Sequence, residues 1–148
     1  MILGVTIRKL DASRAADLGK GRIDVMNSPS LGAAKEHSLD AVGKKAVAVE
    51  FTFVTKYSSP ERELAKIEMG GDVIYMGDDS NDILEHWKAN KAFPVDFAVK
   101  ILNATLRKCV TKSIQLAEEF QLPPPIDYPT VLKGESPKQD NNKKKPSA

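Results

Sequence analysis

Between Ala46 and Tyr57 the chain reads "AVAVEFTFVTKY", and its hydrophobic positions fall on every second residue. Val47, Val49, Phe51, Phe53 and Tyr57 share one parity, while Glu50, Thr52 and Lys56 take the other. Period-two alternation in β-branched and aromatic residues predicts a strand with one buried and one wet face. The turn residues of "SSPERE" (58–63) follow, then "LAKIEMGGDVIYMG", in which Ile67, Met69, Val73 and Tyr75 keep one phase against Lys66, Glu68 and Asp72. The pattern predicts two antiparallel strands. Gly70-Gly71 is open to two readings, a hairpin turn or a bulge, and the unbroken phase across the pair favours one bent strand. Upstream, Leu3, Val5 and Ile7 alternate, as do Ile23 and Val25, which predicts two further strands. Residues 27–45, "NSPSLGAAKEHSLDAVGKK", are mostly polar and read as a long connection or an arm.

The period changes after Gly77. "DDSNDILEHWKANKAF" opens with acidic and capping residues and then places Ile83, Leu84 and Trp87 on one side. This is a short helix that ends at Phe93, because the residue before a proline is pushed out of the helical region. Pro94 suits the first position of the next helix. From there to Gln121, Ala98, Ile101, Leu102, Thr105, Leu106, Cys109, Val110, Ser113, Leu116, Ala117 and Phe120 make a wide apolar face at helical spacing. Strands followed by helices predict an α+β fold: a four-stranded antiparallel sheet, then a short and a long helix.

A helix over 94–121 is about 42 Å long at roughly 1.5 Å per residue. That matches the diameter of about 38 Å expected for a compact domain of this size. A four-stranded sheet covers part of such a face, so the expectation is a second copy packed against it. Leu102, Thr105, Leu106, Cys109 and Ser113 are then the interface residues, the small ones allowing close approach. The helix then runs into "QLPPPIDYP" (121–129), where three prolines prefer an extended conformation and cannot donate backbone hydrogen bonds. Leu122, Ile126, Tyr128 and Val131 in this strap call for burial. The strap docked beside the helix predicts a shallow apolar groove, with Trp87, Phe93, Leu122, Ile126 and Tyr128 as its lining.

Composition fits a single soluble domain over 1–132, with 41% hydrophobic and 28% charged residues. Residues 133–148 carry five lysines against Glu135 and Asp140, hence +3, and their polarity predicts a disordered tail. The other 132 residues hold 17 basic and 18 acidic groups, net −1, and offer no strong field for nucleic acid. No apolar run is long enough for a membrane span and no signal peptide is present, so the expected location is the cytoplasm.

Chemistry is sparse. His37 and His86 have no cysteine or glutamate at ligand spacing. "DDSND" offers alternate carboxylates, but the sixth and twelfth positions of a calcium loop fall on Ile83 and Ala89, so the acids read as helix caps. Cys109 has only apolar neighbours on its helix and reads as packing. Catalytic residues, metal and cofactor are all expected to be none, and the chain is not expected to be an enzyme.

Four landmarks in order, "VMNSPS" (25–30), "IEMGGDVIY" (67–75), "AFPVDFAVKIL" (92–102) and "FQLPPPIDYPTV" (120–131), resemble the SecB export-chaperone family over about residues 3–131. The resemblance implies a four-stranded sheet with a strand crossing a glycine pair, a short helix, an FP step into a long helix, and a closing proline segment. It also implies a tetramer, built as a dimer of dimers, holding unfolded or nascent polypeptide in apolar grooves. Family members are acidic, whereas this body is near neutral, and the long helix here lacks the family's glycine break. A second reading is a dimeric protein that binds the ribosome or RNA through the lysine tail.

Overall fold

The computed structural model describes residues 1–39 and 44–127. Four strands precede two helices: β1 Ile2–Arg14, β2 Asp24–Leu39, β3 Lys44–Ser58, β4 Glu63–Tyr75, α1 Ser80–Asn90 and α2 Val95–Glu119. All pairings are antiparallel and the sheet order is β1-β4-β3-β2, so β1 and β2 are the edges. The expected α+β class and element order are those observed.

The alternation of β3 and β4 sets the core. Val47, Val49, Phe51, Phe53 and Tyr57 face Ile67, Met69, Val73 and Tyr75 across the register, and all are buried. Both helices cover this face. The other face is wet. There Glu50 lies opposite Asp72, and these neighbouring carboxylates are flanked by Lys35 (3.9 Å from Glu50) and Arg8 (2.6 Å from Asp72). Rows of charge of this kind mark a solvated sheet surface rather than a second core.

Gly70 and Gly71 lie inside one continuous β4, as the hydrophobic phase requires. The irregularity is on the neighbouring strand: the β1 register shifts between Ile7 and Lys9, with Ile7 opposite Gly71 and Lys9 opposite Gly70. A Cβ at Gly71 would stand 1.8 Å from the carbonyl oxygen of Thr6, so glycine is what lets β1 pair here.

Three expectations are corrected. Most of 27–45, read as a connection, is strand β2. Its alternation is hidden because Asn27 and Pro29 occupy inward positions and a register shift between Leu31 and Ala34 inverts the parity. Pro29 is tolerated because β2 is an edge. Leu3 does not share the inward face of Val5 and Ile7, since a shift between Ile2 and Gly4 leaves it 41% exposed. Asp79 stands at the N-cap of α1 but makes no side-chain cap bond; its Oδ1 accepts from the Tyr75 hydroxyl at 2.9 Å. Burial pushes the Tyr75 phenol above its ordinary pKa, and the bond to Asp79 adds to the effect.

Helix α2 spans 25 residues, about 37 Å. Phe97, Ile101, Thr105, Cys109, Ser113 and Ala117 form its buried line. They recur every four residues, so the line drifts by about 40° per step around the helix and follows the twist of the sheet. Ser113 meets the sheet at Thr55, with 3.4 Å between the two hydroxyl oxygens. Thr105, Cys109 and Ser113 are fully buried against their own sheet, so the close approach they permit is helix to sheet. They are not available to a second copy. Leu102 and Leu106 stay half-buried on the flank, and Val95 and Val99 are exposed.

Candidate functional site

The proline strap is held by polar side chains from the sheet. The Tyr57 hydroxyl donates to the Pro123 carbonyl (2.7 Å) and Asn27 Nδ2 donates to the Pro125 carbonyl (3.0 Å). Asn27 Oδ1 in turn accepts from Thr55 Oγ1 (2.8 Å), which stands 3.4 Å from Ser113 Oγ. Prolines supply carbonyls without N–H groups, so a strap of them satisfies these donors and leaves no amide to bury unpaired. Arg14, from the inward face of β1, closes the end of α2: its Nη1 donates to the Phe120 carbonyl at 2.9 Å. A cation at a helix C-terminus also opposes the partial negative charge gathered there.

Of the five residues expected to line one groove, the structure brings together two pairs at opposite ends of α2. Trp87 and Phe93 lie at its N-terminal end, both half-buried. The Lys91 ammonium sits 4.3 Å from the Trp87 ring centroid, and the Phe93 ring is 5.5 Å from that of Phe97. Leu122 and Ile126 lie at the C-terminal end. Leu122 is buried and, with Ile114, Ala117, Glu118 and Pro124, bounds a notch of about 140 Å³. Ile126 is 42% exposed beside it. Tyr128, Val131 and the lysine tail lie outside the described residues.

A larger concavity was not foreseen. Between the inward face of β1 and one flank of α2 runs an open groove of about 550 Å³. Ile2, Val5 and Ile7 form its floor, and Ala104, Arg107, Lys108, Thr111, Lys112 and Gln115 its wall. The floor exists because β1 is an edge strand whose inward side chains Ile2, Val5 and Ile7 are only half covered. The wall is basic. Arg107, Lys108 and Lys112 have no carboxylate within 4 Å among the described residues. The signal is present in the sequence: Arg107, Lys108 and Lys112 share one flank of the helix, beside the positions whose apolar spacing defines its buried face.

Among the described residues no three His, Cys, Asp or Glu side chains cluster as a metal site would need. Burial pushes the Cys109 thiol up to about 11, against a smaller opposing effect of the Lys108 charge, which leaves it a protonated packing group at neutral pH. No helix among the described residues is long and apolar enough to cross a membrane.

No protein-family model matches the chain, and no curated protein matches its sequence. Among solved structures, the chain is similar to a SecB-like chaperone. That protein is Rv1957 of Mycobacterium tuberculosis, solved in complex with a ChAD peptide from the Rv1956 HigA1 antitoxin. The match covers 91% of this chain and 92% of that one, at 15% identity and a TM-score of 0.47. A superposition of this degree is a likeness in fold and no evidence of function.

Proposed function

We propose that this chain is a non-enzymatic, chaperone-like protein that binds unfolded or extended polypeptide beside its long helix. The observation that carries the reading is the open groove with the apolar floor Ile2, Val5 and Ile7, lying along an edge strand. An extended segment meets two complementary features there. The edge of β1, which carries no further strand among the described residues, offers main-chain hydrogen bonds, which grip any sequence, and the floor takes up alternate apolar side chains. A strand edge and a shallow apolar trough give binding with low sequence demand, as a holder of unfolded chains needs. The notch between Leu122 and Pro124 and the exposed Ile126 form a second apolar contact in this reading. The homo-oligomer, dimer or tetramer, belongs to the same proposal and uses the outward side of α2, where Val95 and Val99 are 76% and 51% exposed.

The test is suppression of aggregation of a chemically unfolded substrate, with wild type compared to Ala104→Trp. Residue 104 is on the groove wall and on a helix flank, so an indole there occupies the trough without entering the core. Suppression by wild type and its reduction at least fivefold in the variant, at unchanged thermal stability, is the expected result. Equal suppression by both proteins places the binding elsewhere. No suppression by wild type rejects the reading.

A further inference from the structure

We propose that the groove between β1 and α2 selects acidic amphipathic strands, segments in which apolar residues alternate with Asp or Glu; this rests on the polypeptide-binding reading above. The floor, Ile2, Val5 and Ile7, requires apolar side chains from the occupant. The wall presents Arg107, Lys108 and Lys112, three cations on one flank of α2 without a carboxylate partner among the described residues. Other cations without such a partner, among them Lys20, Lys88, Lys91 and Lys100, do not border this trough, and Lys91 and Lys100 lie over the rings of Trp87 and Tyr75. What sets Arg107, Lys108 and Lys112 apart is that all three border one apolar trough, where carboxylates on the occupant complete them.

Charge also decides against the other occupants. A second copy seated on this groove by a twofold axis brings its own Arg107, Lys108 and Lys112 towards the first set. Like charges meeting across such an interface oppose it. The C-terminal tail carries +3 and is repelled in the same way. An acidic segment of another protein is left as the fitting occupant. With the segment lying in the trough, one set of its alternating side chains points to Ile2, Val5 and Ile7 and the other stands at the open rim, where carboxylates reach the lysine and arginine heads, whose aliphatic stems extend the apolar lining.

The experiment uses the full chain and two fluorescein-labelled ten-residue peptides of identical apolar residues, one alternating with Glu and the other with Lys. Anisotropy titrations at low salt are run with wild type and with Lys108→Glu/Lys112→Glu. The expected result is at least tenfold tighter binding of the Glu peptide by wild type, a preference that shrinks as salt rises and inverts in the double variant. Equal affinity of wild type for both peptides, or a Glu preference unchanged in the variant, overturns the charge selection while leaving polypeptide binding intact. If neither peptide binds and wild type also fails to suppress aggregation, the binding reading falls with it.

Discussion

Cys109 shows what a single position reveals about the packing of α2. It lies fully buried between Thr105 and Ser113, and burial holds its thiol pKa near 11 against an ordinary value of 9.0. The folded state therefore keeps its proton more tightly than the unfolded chain does. The stabilisation is complete below about pH 9 and is lost as pH rises towards 11, when the unfolded thiol ionises first. The expected loss is up to about 2–3 kcal/mol across that window, and it disappears in Cys109→Ala. Urea unfolding at pH 7, 9 and 10.5 checks this, because the stability difference between the two proteins must narrow with pH. A constant difference would show that the thiol reaches solvent. Its neighbour Thr105 has a buried hydroxyl with no hydrogen-bond partner among the described residues, another sign that this stripe was fitted for size rather than polarity.

Among the elements, the joint between β1 and β4 is the most exacting. The Thr6 carbonyl stands where a side chain on Gly71 would begin, and both groups belong to backbone that the sheet holds in place. Gly71→Ala is expected to cost more than about 2 kcal/mol and to loosen β1 first, with amide exchange accelerating in residues 2–14 before the β3–β4 ladder. Uniform exchange across the sheet, or an unchanged midpoint, would contradict the assignment. The same joint shows which elements the sequence makes legible. β3 and β4 are buried on one face along their whole length, so their alternation is unbroken and their pairing can be read directly. β2 escapes notice because Asn27, an inward residue, is polar for a reason far away in sequence: it binds the carbonyl of Pro125. β1 is only half legible, since two register shifts break its parity. The small residues of α2 are visible as a stripe, but a stripe of small residues fits a helix and a sheet of large residues equally well. Only the complete burial of Thr105, Cys109 and Ser113 within the chain decides between them.

At the scale of the whole molecule, the long helix and the strap do different work from that expected of them. The helix finds its main cover on its own sheet, and the strap finishes that cover at one end through Tyr57, Asn27 and Leu122. What remains open is the trough on the β1 side, where a sheet edge, an apolar floor and a row of cations coincide. Its components come from two distant stretches of the chain, residues 2–7 and 104–115, so neither segment alone announces it. The lining expected from Trp87, Phe93, Leu122 and Ile126 divides between the two ends of α2 and does not make one trough. The most direct test of polypeptide binding at β1 is methyl NMR of isoleucine- and valine-labelled protein titrated with a permanently unfolded chain. Shifts or broadening of Ile2, Val5 and Ile7, with the core methyls of Ile67 and Ile101 unmoved, are the predicted result. Unperturbed methyls at Ile2, Val5 and Ile7 when the unfolded chain is in saturating excess would contradict it.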